Sequence, residues 1–275
     1  MRHDVWWSCL VMEQIGMIKI LAVTNQKGGV GKTTTTVNLA ASLAVAKKRV
    51  LLIDLDPQGN ATMGSGIEKR DLQISVYNVL LGNKTIGQAR KTAGACGYDV
   101  LPSSRDLAGA EVELIDMPNR EMRLRDSLQA IISEYDYILI DCPPALNLLT
   151  LNGLCAAKTV MIPMQCEYYA LEGLSDLVNT IRKVRADLNP TLEIEGLLRT
   201  MFDPRNALAQ QVSAQLESHF GNKVYRTVIP RNVRLAEAPS YGVPALYHDK
   251  TSKGTQAYLA LAGEMLNMHA KIESA

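Results

Sequence analysis

The stretch from residue 18 to residue 47 constrains this chain more than any other. Residues 18–24 form a continuous apolar run, IKILAVT, of the kind found in a buried strand. A turn follows: Asn25-Gln26-Lys27-Gly28-Gly29-Val30-Gly31-Lys32-Thr33-Thr34. Residues 33–47 then place Val37, Leu39, Ala40, Leu43 and Ala44 along a helix. Three glycines let the turn bend tightly and aim its N–H groups inward at an anion, and the positive end of the helix points at the same place. Lys32 has the reach for the β- and γ-phosphates of a nucleotide, and the Thr33 hydroxyl suits Mg2+. Gly28, Gly29, Val30, Gly31, Lys32, Thr33 and Thr34 are therefore the expected phosphate cradle. The strict pattern G-x-x-x-x-G-K-S/T is not met, because Gln26 stands where the first glycine belongs. What is present is K-G-G-x-G-K-T, with a second lysine, Lys27, upstream of Lys32. An incidental glycine turn does not account for two lysines and two threonines at these spacings.

The rest of the chain repeats the alternation. Strands are predicted at 49–53, 98–101, 137–140, 159–163, 194–200 and 227–230. Helices are predicted at 106–115, 121–133, 171–188 and 208–220. Continuous apolar strands separated by helices imply an α/β fold, a single P-loop domain with a mostly parallel, doubly wound sheet and helices on both faces. Ligands of such sheets bind beyond the carboxyl ends of the strands, so the loops after Thr24, Ile53, Ile140, Thr200 and Ile229 should hold the chemistry.

Carboxylates stand at two of these ends. Asp54-Leu55-Asp56-Pro57-Gln58-Gly59-Asn60 follows the second strand, and two aspartates two residues apart leave a strand on the same side. The apolar run 137–140 ends in Asp141, the form of a Walker B strand, and Asp141 would hold Mg2+ through water. Cys142-Pro143-Pro144 then enforces an extended turn. Thr33 and Asp141 are thus expected at the metal, and of Asp54 and Asp56 one can hold its shell while the other faces the attacking water.

Composition removes several alternatives. The 275 residues are 47% hydrophobic and 21% charged, enough apolar material for a large core. The net charge of +1 gives no bulk signal for nucleic acid, so any DNA binding must come from a local patch of Arg and Lys. Cys9, Cys96, Cys142, Cys155 and Cys166 are widely spaced with no C-x-x-C pair, which suits a reduced protein better than a zinc or iron–sulfur site. No run of 18 apolar residues suggests a membrane span. Residues 17–275 read as one domain. Residues 1–16 read as a disordered extension or a misassigned start, with an interfacial anchor led by Trp6 and Trp7 as the alternative.

The K-G-G-x-G-K-T string resembles the deviant Walker A motif of the ParA, MinD and nitrogenase iron-protein group. Three further strings are similar to the ParA/Soj family in particular: Asp54 to Thr62, Gln165-Cys166-Glu167-Tyr168-Tyr169-Ala170-Leu171-Glu172-Gly173-Leu174, and Ile229 to Ser240. The resemblance runs from about residue 18 to about residue 266. It implies an ATPase using ATP and Mg2+, weak alone and stimulated by a ParB-type centromere-binding protein, that forms a homodimer with ATP. Lys27 would cross to the partner's phosphates, and Asp56 would orient the attacking water, with Asp54 supporting the metal. Pro230 and Asn232 would lie by the base or ribose. Arg205 and Arg234 would bind double-stranded DNA without reading its sequence, and Arg231, three residues from Arg234, is close enough to share its helical face and join them. A short, Soj-like type would not itself read operator DNA. The implied location is the cytoplasm, on the nucleoid, with no stable membrane binding. The rivals are a MinD-like membrane-associated ATPase, which should end in a basic amphipathic helix, and a cluster carrier like the nitrogenase iron protein.

Overall fold

The computed structural model describes residues 18–273. The expected extension at 1–16, with Trp6, Trp7 and Cys9, lies outside them. Seven strands form one sheet in the order β3-β4-β2-β5-β1-β6-β7. They are β1 (Lys19–Val23), β2 (Val50–Asp54), β3 (Lys91–Thr92), β4 (Asp99–Leu101), β5 (Tyr137–Asp141), β6 (Thr159–Met164) and β7 (Glu193–Arg199). Every pairing is parallel except that of β3 with β4.

Side chains alternate between the two faces of the sheet, and both faces are apolar. Ile20, Ala22, Leu51, Ile53, Ile138 and Ile140 belong to one core layer. Their strand neighbours Leu21, Val23, Val50, Leu52, Tyr137 and Leu139 belong to the other. That double burial is why these strands read as unbroken apolar runs and not as alternations. The helix Lys32–Val45 covers the second face and is itself packed by the long C-terminal helix Lys253–Glu273, through Tyr258, Leu261 and Met265.

Two expectations fail in detail. Residues 227–230 are no strand. Ile229 N–H donates to Arg199 O at 2.9 Å, and Phe202 forms an isolated bridge to Pro230. Pro230 has no N–H with which to extend a ladder, and upstream the buried Arg199 guanidinium donates to Tyr225 O at 2.6 Å. The helix expected at 121–133 is broken into Arg123–Leu128 and a 3-10 turn, Ile132–Glu134. The short helices Asn60–Gly64, Val76–Leu80 and Leu148–Ala156 and the two-residue strand β3 carried no periodic signal long enough to read.

Candidate functional site

The parallel order brings the informative loops to one end of the sheet. β1 lies between β5 and β6, and in register Val23 pairs with Asp141 and Asp54 with Asp141. The glycine-rich turn leaving β1 therefore faces the carboxylates that end β2 and β5.

In that turn Gly29 and Gly31 have φ of 73° and 87°, the left-handed region that side chains disfavour. Gly31 is the N-cap of the helix Lys32–Val45 and gives it no side-chain cap, which leaves the first N–H groups and the positive helix end directed at the turn. Val30 is buried, and its carbonyl accepts from Thr200 Oγ1 at 2.7 Å, which fixes the turn to the end of β7. Gly28 has open space around it.

The two lysines are disposed in opposite ways. Lys32 is only 7% exposed, and its ammonium donates to Lys27 O at 3.1 Å. Burial lowers its pKa and Asp141 opposes that shift, so a phosphate would restore a partner to a desolvated cation. Lys27 points the other way. Its backbone N–H is tied to Asn25 Oδ1 at 3.0 Å, and its ammonium leaves the cradle to pair with Glu167, each side chain being 50% exposed.

Asp54 and Asp141 are fully buried. Asp141 accepts from Thr33 Oγ1 at 2.7 Å and Thr36 Oγ1 at 3.1 Å. Asp54 accepts from Thr62 N at 2.8 Å, Thr62 Oγ1 at 2.7 Å and Asp56 N at 3.1 Å. Burial pushes both carboxyls above the usual carboxylate range, and at Asp141 the neighbouring Asp54 charge pushes further. A buried acid pair whose hydrogen bonds come from hydroxyls and amides is a hard-oxygen donor set suited to Mg2+, which keeps several water and phosphate ligands of its own. That modest demand is consistent with the absence, among the described residues, of any cluster of three His, Cys, Asp or Glu groups. Asp56 stands at the rim, half-buried, holding Gln58 N–H at 2.9 Å.

Beside the turn a cleft of about 170 Å3 is lined by Gly31, Thr34, Thr200, Met201, Pro230 and Asn232, among others. Pro230 and Asn232 were expected here. Met201 was not. It holds φ of 48°, and its sulfur accepts from Gln165 Nε2 at 2.9 Å. Asn232 Oδ1 is occupied as the cap of the helix Val233–Glu237, bonding Arg234 N at 3.0 Å. Thr36 and Thr62 were also missed. Thr36 follows Thr33 by three residues on one helix face, which the sequence displays; Thr62 meets Asp54 only through the fold.

The arginines fare unequally. The Arg205 side chain is 88% exposed and pairs with Asp203, holding that carboxyl below its usual range. Arg231 is exposed, and the Phe202–Pro230 bridge makes the loops carrying Arg205 and Arg231 neighbours. Arg234, half exposed, pairs with Glu237 at 2.8 Å and Asp249 at 3.3 Å.

Cys96, Cys142, Cys155 and Cys166 are free and buried. A Cβ placed on Gly153 would come within 2.9 Å of the Cys142 sulfur, so this thiol is a packing group against the helix Leu148–Ala156.

A phosphate turn at the end of a parallel strand, with a buried lysine and two buried carboxylates opposite, defines a P-loop ATPase. The comparisons agree. The AAA domain family matches residues 18–194. The sporulation initiation inhibitor protein Soj of Bacillus subtilis is 55% identical over 90% of this chain and 98% of its own length. The chromosome partitioning protein ParA of Caulobacter vibrioides is 51% identical over 91% and 94%. The crystal structure of a cobyrinic acid a,c-diamide synthase from Mycobacterium smegmatis, with an ATP analogue and magnesium, superposes with a TM-score of 0.79 at 38% identity over 90% and 94%. The chain belongs to the ParA/Soj family of chromosome-partitioning ATPases and uses ATP and Mg2+.

Proposed function

We propose that ATP closes two copies of this chain face to face, and that the closed dimer holds DNA without sequence preference until a ParB-type protein stimulates hydrolysis. The observation that carries this is the contrast between the lysines. Lys32 is turned into the cradle of its own subunit, whereas Lys27 is outside it and half exposed. An ammonium there is placed to neutralise charge on a second subunit's nucleotide. Lys32, with the N–H groups of Gly29 to Thr34, binds the phosphates. Thr33, Asp54 and Asp141 would hold Mg2+, which draws negative charge off the transferring phosphoryl group. Asp56 orients the attacking water, and Pro230 and Asn232 border the base.

DNA contact falls to Arg205, Arg231 and Arg234. Three arginines per subunit bind weakly, and pairing two subunits raises the effective concentration of the second patch. The protein would then lie on the nucleoid in the cytoplasm. A MinD-like membrane role is less well supported, because the C-terminal helix buries Tyr258, Leu261, Ala262 and Met265 in the core and so commits its apolar side. No helix among the described residues is long and apolar enough to cross a membrane.

The test is DNA binding at several salt concentrations with ATP, with ADP and without nucleotide, beside liposome sedimentation with ATP. Retention that requires ATP and falls steeply with salt supports the reading. Salt-independent DNA binding, or lipid binding in its place, would refute it.

A further inference from the structure

The helix Leu107–Glu113 and the turn after it carry a surface that the nucleotide site does not explain. Leu107, Ala110 and Leu114 are fully buried and anchor the segment in the core. Its outer side is apolar where charge is usual: Val112 is 71% exposed and Ile115 53%. Ile115 N–H donates to Val112 O at 3.3 Å, which sets the two side by side. A third apolar group, Leu146, is 48% exposed. It sits in the stretch leaving Asp141, and the next residue, Asn147, donates its side-chain amide to the Glu111 carboxylate, tying that stretch to the helix. Asn147 Oδ1 also accepts from Thr150 N at 3.1 Å, capping the helix Leu148–Ala156. The stretch after Asp141 is thus held between two helices, with Leu146 facing outward.

The border of this patch is acidic. Asp106, Glu111, Glu113 and Asp116 occur with no Lys, Arg or His between them. The exposed Arg105 flanks this run before Asp106; on the other side the next cation, Arg120, is already engaged with Ile115 O at 2.7 Å and with Glu121 at 3.0 Å. Exposed apolar residues are ordinary one at a time. Three around the segment that leads from a metal-site carboxylate, inside a run of acids on a chain of net charge +1, are a recognition pattern.

We propose that Val112, Ile115 and Leu146 form the docking surface for a basic segment with an apolar face, belonging to the ParB-type protein that stimulates hydrolysis. The proposal rests on the partner-stimulated cycle above. Glu111, Glu113 and Asp116 draw the segment in and set its orientation, and the apolar trio supplies the contact that excludes water. Contact at Leu146 bears on the stretch leaving Asp141, so the partner acts on hydrolysis and not on nucleotide binding. A second copy of this chain fits poorly, because a symmetric contact of the patch with itself would set like charges against each other.

The test uses the full chain with the purified ParB-type protein of the same organism, measuring steady-state ATP hydrolysis on DNA. The double variant Val112→Ser, Ile115→Ser alters only exposed side chains. Its unstimulated rate and ATP-dependent self-association should match the unaltered chain, while the partner concentration for half-maximal stimulation rises about tenfold or more. Asp116→Lys, an independent surface change, should raise that concentration several-fold and flatten its salt dependence. Stimulation that is unchanged in both variants overturns the docking surface. So does a double variant that loses self-association without partner present, which would make the patch an interface between copies. If the unaltered chain is not stimulated at all, the partner reading itself fails and this surface falls with it.

Discussion

Lys27 and Glu167 are paired across 140 residues of sequence, the ammonium of the phosphate turn meeting a carboxylate from the loop after β6. The same loop touches the turn a second time, where Gln165 Nε2 donates to Gly29 O at 3.3 Å. On the proposed cycle, in which Lys27 reaches a second subunit, this pair would hold the lysine within its own subunit until it is released. Exposed pairs of this kind are worth about 0–1 kcal/mol, so the restraint changes populations by a few-fold and does not forbid dimer formation. Glu167→Gln should let the ATP-bound dimer form at a protein concentration roughly up to fivefold lower, measured by sedimentation with a non-hydrolysable analogue. Lys27→Ala should bind ATP normally yet lose dimer and hydrolysis. A dimer that weakens in Glu167→Gln would mean that Glu167 makes its own contact across the interface.

Thr33 and Asp141 make the second testable relationship. The 2.7 Å hydrogen bond occupies the hydroxyl that is assigned to Mg2+, so metal and nucleotide must displace it. Thr33→Val should reduce hydrolysis strongly and weaken Mg2+-dependent ATP affinity, while leaving metal-free nucleotide binding nearly intact. Lys32→Ala should abolish binding with and without metal. Calorimetry with and without a chelator separates the two, and equal losses for Thr33→Val under both conditions would remove the threonine from the metal site.

Much of this site was legible because its chemistry is local. The glycines, Lys32, Thr33 and the strand-end aspartates are set by spacing within a few residues, and buried parallel strands announce themselves as apolar runs. The misses are long-range or too short for periodicity. β3 is two exposed residues, Lys91 and Thr92, with nothing apolar to mark it. Residues 227–230 have a strand's composition, but they make only the Ile229 N–H bond to Arg199 O and the Phe202–Pro230 bridge, and Pro230 has no N–H to extend them into a ladder. The Lys27–Glu167 pair, the Thr62 bond to Asp54 and the strained Met201 join segments far apart in sequence, and no spacing rule reaches them.

Glu195 gives a pH dependence away from the nucleotide. It is 7% exposed on β7 and accepts from Tyr225 OH at 2.9 Å and from Thr159, with His269 Nε2 at 3.3 Å. Burial, the largest influence, would raise its pKa, but the His269, Thr159 and Tyr225 partners together outweigh it and hold the carboxyl below the usual glutamate range. A folded pKa below the unfolded value of about 4.3 means that the contribution is present above that pH and is lost as pH falls through the folded value. His269 lies on the C-terminal helix and also meets Tyr137 OH at 2.8 Å, so this network fastens that helix to the sheet. Glu195→Gln should be less stable at pH 7 by about 1–3 kcal/mol in urea unfolding, and should show a shallower loss of stability below about pH 4.3. An unchanged acid limb in the variant would show that other carboxylates carry it.

The three candidate DNA arginines differ in how free they are, and the difference predicts an order of effects. Arg234 is held by Glu237 and Asp249, so phosphate must compete with two carboxylates. Arg205 has one partner, Asp203, and its side chain is 88% exposed, which makes it the easier to redirect. Arg205→Ala should therefore weaken ATP-dependent DNA retention more than Arg234→Ala does. Arg234→Glu should weaken it strongly, by adding a charge to a site that already holds two acids. Both alanine variants should lower the slope of affinity against salt by roughly one phosphate contact per subunit. Dimer formation with ATP should be unchanged throughout, because none of these side chains touches the phosphate turn. Filter binding over a salt series, paired with sedimentation, reads both quantities. Equal salt slopes in variant and unaltered chain would place the DNA on another face.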